Sequence, residues 1–245
     1  MTTDPLFRDD ASLRSCTATV LAAGPDGIVL DRTVFYAQGG GQPGDTGTLR
    51  RPDGTTLPVT DTVKGEADKG MGGAILHRVT ADAALPAVGE TIEAVLDWDR
   101  RLRLMRVHTA MHLLCSLIPG AAVTGGSIGD GKGRLDFDLP EAPDKERLNQ
   151  GLAALVAEDH PITTSWITDA ELDANPGMVR TLSVKPPRGS GRIRLVRIGP
   201  EAAPIDLQPC GGTHVPSTGA VGRVVVAKVE NKGRQNRRIA LVLEG

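Results

Sequence analysis

Arg100-Arg-Leu-Arg-Leu-Met-Arg-Val-His-Thr-Ala-Met-His-Leu-Leu-Cys-Ser-Leu117 divides the chain into two kinds of sequence. Leu102, Met105, Thr109 and Leu113 recur at three- and four-residue steps, the helical period, and Pro119-Gly120 stops the run. Ahead of it, up to about residue 97, the chain reads as β-rich. Strands are expected at Thr17–Ala23, Gly27–Asp31, Thr46–Arg50, Ile75–Val79 and Thr91–Leu96. Turn signals separate them at Gly24-Pro-Asp-Gly27, Pro52-Asp-Gly54 and the glycines around Gly70–Gly73. Short strands at this spacing suggest a small barrel or sandwich. Beyond it, Gly133–Leu139, Arg192–Ile198, Ala220–Glu230 and Arg237–Leu243 read as strands and Pro143 to Asp159 as an amphipathic helix. Thr168-x-x-Glu171 has the form of a capping box opening a short helix before Pro176. The expected fold class is α+β. It comprises a small N-terminal β-barrel over residues 1–97, then an α+β domain over residues 98–245 with an antiparallel sheet packed by helices.

The 245 residues are 40% apolar and 24% charged, the composition of a globular chain with a real core. Aromatic residues make up only 2%, so aliphatic side chains must fill that core, and aromatic base-stacking platforms for single-stranded nucleic acid are not expected to dominate. The net charge of −2 gives no whole-molecule basic field. Its distribution is uneven. Arg180, Lys185, Arg188, Arg192, Arg194 and Arg197 fall in a stretch to Pro200 without an acid, and Arg223, Lys228, Lys232, Arg234, Arg237 and Arg238 follow against Glu230 and Glu244. Such runs are either a solvated basic surface or a phosphate-binding face, and two in one half of the chain favour the second. Cys16, Cys115 and Cys210 lack disulfide-framework spacing, and Met-Thr-Thr-Asp-Pro carries no apolar signal segment, so a reducing cytoplasm is expected. The apolar stretch from Met111 to Val123 is interrupted by Pro119 and Gly120 and is too short to span a membrane.

Two ligand pairs stand out, His108-Thr-Ala-Met-His112 and Cys210-Gly-Gly-Thr-His214. Residues four apart on a helix share a face, so both imidazoles of the first pair can reach one ion. Pro209 and Gly211-Gly212 suggest a tight turn that gathers a thiolate and an imidazole. Three imidazoles and one thiolate suit tetrahedral Zn²⁺. Position 109 is Thr where a zinc peptidase helix carries its general-base Glu, which removes that chemistry. Cys115 is a rival ligand on the same helix face, but among Leu113, Leu114 and Leu117 a buried free thiol fits better.

Phe35-Tyr-Ala-Gln-Gly-Gly-Gly-Gln-Pro-Gly-Asp-Thr-Gly47 is the densest glycine segment. Its Gly39-x-Gly41-x-x-Gly44 has no βαβ context, and Pro43 opposes a following helix, so a dinucleotide site is discounted. A glycine-rich hairpin and a loop that lets Gln42 approach a ligand both remain open.

These segments, in this order, resemble the editing region of alanyl-tRNA synthetases and its free-standing AlaX-type relatives. The matching pieces are Phe35–Gly47, Arg106-Val-His-Thr-Ala-Met-His-Leu-Leu114 and Cys210-Gly-Gly-Thr-His-Val-Pro-Ser-Thr-Gly-Ala-Val-Gly222. No synthetase activation domain is expected ahead of residue 35, so the resemblance implies the longer AlaX type, with a glycine-motif domain before the editing domain and no added C-terminal domain. It implies hydrolysis, in trans, of tRNA(Ala) mischarged with serine, or also with glycine, at the ester to the terminal ribose; a zinc-stabilised tRNA-binding module without hydrolysis and editing of a different mischarged tRNA stay open as alternatives. Such a task has a physical basis, because discrimination among small side chains by binding is limited to about 1–3 kcal/mol per group. A second site that hydrogen-bonds the seryl hydroxyl rejects alanine instead. The resemblance offers Thr124 for that contact and Gln42 for orienting substrate or water. One Zn²⁺ is expected on His108, His112 and Cys210, with His214 as the fourth ligand or as partner to a bound water. Arg188, Arg192, Arg194, Lys232, Arg234 and Arg237 are the expected phosphate contacts. No membrane or obligatory protein partner is expected.

Overall fold

The computed structural model describes residues 1–66, 72–181 and 191–245. The chain forms two compact units, Met1–Leu102 and Arg103–Gly245. As the sequence implies, the class is α+β.

The first unit contains β1 (Asp4–Pro5), β2 (Ser15–Gly24), β3 (Gly27–Leu30), β4 (Arg32–Thr33), β5 (Gly47–Arg50), β6 (Thr56–Lys64), β7 (Ile75–Val79) and β8 (Thr91–Leu96). Six of these close an antiparallel barrel in the order β2-β3-β7-β6-β5-β8, while β1 and β4 form a small parallel pair. Its interior is aliphatic: Val20, Ile28, Leu30, Leu49, Leu57, Val59, Ile92 and Leu96, with Phe35, form one cluster. Bulges in β2 between Val20 and Ala22 and in β6 between Val59 and Asp61 bend the ladders as closure requires. The sequence reading missed β6, which contains Pro58. The β6–β7 ladder begins at Val59, one residue beyond Pro58, so the missing N–H is tolerated.

The glycine segment resolves as a hairpin. Gly39 and Gln42 exchange backbone hydrogen bonds of 3.1 and 3.0 Å, and the two residues between them, Gly40 (φ +57°) and Gly41 (φ +83°), take the left-handed conformations of a type I′ turn. Gln42 is buried at its end. Asp45 follows, also buried. It accepts from the Tyr36 amide (2.6 Å) and pairs with the fully buried Arg101, whose Nε lies 2.9–3.0 Å from both carboxylate oxygens.

His77 on β7 is buried between the Thr33 hydroxyl (Nε2, 2.8 Å) and the Ile28 carbonyl, to which Nδ1 donates at 3.0 Å. Burial pulls its pKa down to about 4 from an ordinary 6.5. The folded state therefore requires the neutral ring. Stability from this group is fully present above pH 6.5 and is lost as pH falls from 6.5 through 4. The full loss amounts to about 3 kcal/mol. Urea denaturation of wild type and His77→Gln at pH 7 and pH 4.5 should show the gap between them narrow on acidification.

Helix α1 (Trp98–Leu117) begins in the first unit, and its residues 103–117 lie in the second. The second unit adds β9 (Ala122–Gly129), β10 (Lys132–Asp138), α2 (Lys145–Ala157), β11 (Ile162–Ile167), α3 (Asp169–Ala174), β12 (Ile193–Ile198), β13 (Asp206–Pro209), β14 (Val224–Asn231) and β15 (Asn236–Leu243). One antiparallel sheet has the order β14-β15-β10-β9, and a second has β11-β12-β13. Helix α1 docks on the first sheet where side chains are missing. A Cβ at Gly133 would lie 2.6 Å from Val107, and one at Gly126 would lie 3.4 Å from Met111. Helix α2 packs on β14, its Asn149 accepting the Val226 amide at 2.7 Å beside the β14 bulge, and Gly151 lets it approach Leu117 of α1. The capping box at Thr168 and Glu171 opens α3 as expected. The segment after Ala220 differs from the sequence reading: a 3₁₀ turn at Gly219–Val221 precedes β14. Thr124-Gly125-Gly126 lies within β9. Among the described residues no helix is long and apolar enough to cross a membrane.

Candidate metal centre

Every residue of α1 from Val107 to Cys115 is buried. A helix covered all round is normally apolar, and polar side chains on it need partners. His108, Thr109 and His112 are the polar members, and all three turn to one site. Cys210 follows β13 directly and His214 lies in the loop beyond it. Their ligand atoms and those of His108 and His112 lie within 4.8 Å of one another. Cys210 Sγ is 3.5 Å from His108 Nε2 and 3.3 Å from His214 Nε2. A tetrahedral site with metal–N near 2.0 Å and metal–S near 2.3 Å has edges of roughly 3.3–3.6 Å. The donor set and its spacing therefore fit a metal ion, and the cluster could hold one.

The ring nitrogens behind this cluster are fixed. His112 Nδ1 lies 2.7 Å from Asp206 Oδ2, and the Gln208 amide donates to the same oxygen at 2.9 Å. His214 Nδ1 lies 3.1 Å from the Thr109 hydroxyl, which also accepts the Val215 amide at 3.4 Å. Thr109, which in the sequence marks only the absence of a peptidase base, thus orients His214. The Cys210 turn has its own clamp. Buried Arg194 donates through NH1 to the carbonyls of Cys210 and Gly212, each at 2.9 Å, and the Gly212 amide donates to Sγ at 3.4 Å. Neither Gly211 nor Gly212 is among the positive-φ glycines, and a Cβ on Gly211 would meet nothing within 4 Å, so the Arg194 clamp rather than glycine geometry holds this turn.

The electrostatics suit a cation. Burial works against a charged His112, but the Asp206 carboxylate and Cys210 thiolate raise its pKa to about 10. Burial would raise Cys210, yet His108 and His214 hold its thiol well below the ordinary value. Burial and then the nearby His108 push His214 down to about 3. The site thus keeps a thiolate and at least one neutral imidazole, the ligand forms a metal requires. Cys115 stays outside the cluster, its pKa pushed to about 12 by burial. Asp206→Ala, which frees the rear of His112, is expected to weaken metal uptake about 10–100-fold, read by competition with a chromophoric chelator. An unchanged affinity would leave Asp206 without that role.

The remaining expected residues have separate places. Thr124 is the extra residue of a bulge, since Asp136 pairs with Gly125 and Phe137 with Val123. Its hydroxyl donates to the Asp136 carbonyl at 3.1 Å. Gln42 belongs to the first unit. Of the basic residues, Arg188 and Lys185 lie outside the described residues. Arg194 is buried in the clamp just described. Arg237 is buried too, and its guanidinium donates to the carbonyls of Pro140, Gly233, Arg234 and Asn236. Arg180 likewise donates to the Cys115 and Ile118 carbonyls, capping the end of α1. Arg192, Lys232 and Arg234 are exposed, with Lys232 3.7 Å from Glu230. Asp206, Gln208 and Arg194 have no local signal that marks them as supports, because strand register brings them to the site.

Residues 193–240 match the family described as threonyl and alanyl tRNA synthetase second additional domain, and residues 11–100 match tRNA synthetases class II (A). The chain is 35% identical over 253 residues to the alanyl-tRNA editing protein AlaX-M of Methanosarcina acetivorans, covering 98% of this chain and 99% of that one. It is 32% identical over 240 residues to AlaX-M of Saccharolobus solfataricus, with 97% of each covered. It is also 36% identical over 239 residues to an alanine–tRNA ligase of Pyrobaculum aerophilum, taking in 93% of this chain and 25% of the ligase. Near-complete coverage of these free-standing relatives shows that the chain belongs to the family of AlaX-type alanyl-tRNA editing proteins.

Proposed function

We propose that this protein is a Zn²⁺-dependent hydrolase acting in trans on mischarged tRNA(Ala), cleaving the seryl and, more weakly, the glycyl ester at the 3′ end. The observation that carries the reading is the convergence of the His108, His112, Cys210 and His214 ligand atoms within 4.8 Å of one another, with Cys210 at tetrahedral-edge distance from His108 and His214, in a chain of this family. Zn²⁺ on these four would supply Lewis acidity toward the ester carbonyl or its attacking water. With Nε2 toward Cys210 and Nδ1 held by Thr109, His214 serves as the fourth ligand. A closed set of four protein ligands also fits a structural zinc site. That favours, as second reading, a zinc-stabilised tRNA-binding module without hydrolysis. Deacylation assays separate the two.

Serine selection falls to Thr124. Its hydroxyl proton is held by the Asp136 carbonyl, which leaves oxygen lone pairs to accept from a seryl hydroxyl. Thr124→Val is therefore expected to lower kcat/KM for Ser-tRNA(Ala) about 10–100-fold and to leave Gly-tRNA(Ala) within threefold. Equal losses on both substrates would remove Thr124 from selection. Gln42 is proposed, on the resemblance of its glycine segment, to orient substrate or water. Gln42→Ala with unchanged deacylation removes that role. Arg192, Lys232 and Arg234 remain the proposed phosphate contacts among the described residues, and their affinity for tRNA should fall steeply with salt.

A further inference from the structure

The β11-β12-β13 sheet turns one face toward the donor cluster. On β13, Asp206 and Gln208 stand opposite Ile198 and Val196 and reach to His112. Arg194, on the same face of β12, clamps the Cys210 turn. Trp166 of β11 pairs directly with Arg194, so its side chain leaves the sheet on this face as well. Strand β12 is buried almost throughout, but on β11 Thr164, also on this face, is exposed and Trp166 is only half-buried. The donor-side face is therefore covered at β12 and β13 and open at its β11 edge. There the exposed Arg192 lays its guanidinium 4.4 Å from the Trp166 ring centroid. Two strand spacings, roughly 9.5 Å, separate β11, which carries Trp166, from β13, which Cys210 directly follows.

We infer that Trp166 and Arg192 form a stacking platform for the adenine base of the tRNA's 3′-terminal nucleotide, the nucleotide whose ribose carries the ester. The inference rests on the deacylase reading proposed above. With the carbonyl at the donor cluster, one ribose bridges toward the β11 edge, where an indole and a guanidinium plane are both groups on which a base stacks. Aromatic residues in this chain are too few to track a strand, but a terminal nucleotide needs one platform. Its base is the same on every tRNA, so stacking without hydrogen-bond readout suffices.

The test uses the whole protein. In Trp98→Phe, Trp166 is the sole tryptophan. Titration with adenosine 5′-monophosphate is expected to quench its fluorescence saturably, whereas ribose 5-phosphate does not. In parallel, Trp166→Ala is expected to raise KM for Ser-tRNA(Ala) about 10-fold with kcat changed less than threefold, and Trp166→Phe to restore most of the KM. Absence of quenching by the nucleotide overturns the platform. So does a wild-type KM in Trp166→Ala beside an active wild type. Should the wild type fail to deacylate, the hydrolase reading falls, and the nucleotide titration alone decides whether Trp166 takes a base.

Discussion

Cys210→Ala protein is expected to purify without tightly held metal and to lose roughly 10³-fold in kcat/KM toward Ser-tRNA(Ala), the equivalent of about 4 kcal/mol. Cys210 is the one donor of the cluster that can be anionic, whereas an imidazole ligates only as a neutral ring and brings no negative charge to a dication. Its thiol is held low by His108 and His214 against the opposing effect of burial. Without that thiolate a buried dication meets only the Asp206 carboxylate behind His112. Loss should therefore appear first as metal per chain by mass spectrometry and second as single-turnover deacylation. Cys115→Ala is the matched control, since that buried thiol lies outside the cluster. It should leave both readouts unchanged. A Cys210→Ala protein that keeps one zinc per chain and near-normal rate would remove the thiolate from the account.

Asp45→Ala is expected to destabilise the first unit by about 3–5 kcal/mol. Arg101 and Asp45 are 0% and 1% exposed, so removing the carboxylate leaves a guanidinium out of water with, among the described residues, only the Val34 and Ala11 carbonyls as partners. The loss reflects a stranded charge more than the worth of the pair. A double variant, Asp45→Leu with Arg101→Met, should accordingly recover much of the stability. Urea denaturation gives both values. A cost below about 1 kcal/mol for Asp45→Ala would show the pair to be dispensable.

Legibility in the sequence followed physical signal strength. Helix α1 was readable from its period and its Pro119-Gly120 stop, and α3 from its capping box. Strands with alternating burial, such as β8, were readable too. The missed strands each hide their signal. Strand β6 contains Pro58, β9 contains Gly125 and Gly126 at a bulge, β11 is an exposed edge reading Thr-Thr-Ser, and β13 has four residues ending in Pro209. The four donors were visible because they occur as two local pairs. Their supports were invisible, because Asp206 and Arg194 reach the site through strand register and Thr109 through a contact 105 residues away. Counting charge overstated the basic face. Arg180, Arg194 and Arg237 each cap backbone carbonyls, and composition cannot tell a carbonyl-capping arginine from a solvated one.

The central claim is that the His108–His112–Cys210–His214 cluster belongs to a metal-dependent deacylase selective for misacylated tRNA(Ala). Its most direct test incubates the purified protein with Ser-, Gly- and Ala-tRNA(Ala), and with correctly paired Ser-tRNA(Ser), before and after chelation and after Zn²⁺ restoration. Turnover is expected for the seryl and glycyl esters of tRNA(Ala) only, abolished by the chelator and recovered with zinc. Turnover of none of the four, or hydrolysis of Ala-tRNA(Ala) as fast as Ser-tRNA(Ala), would contradict it.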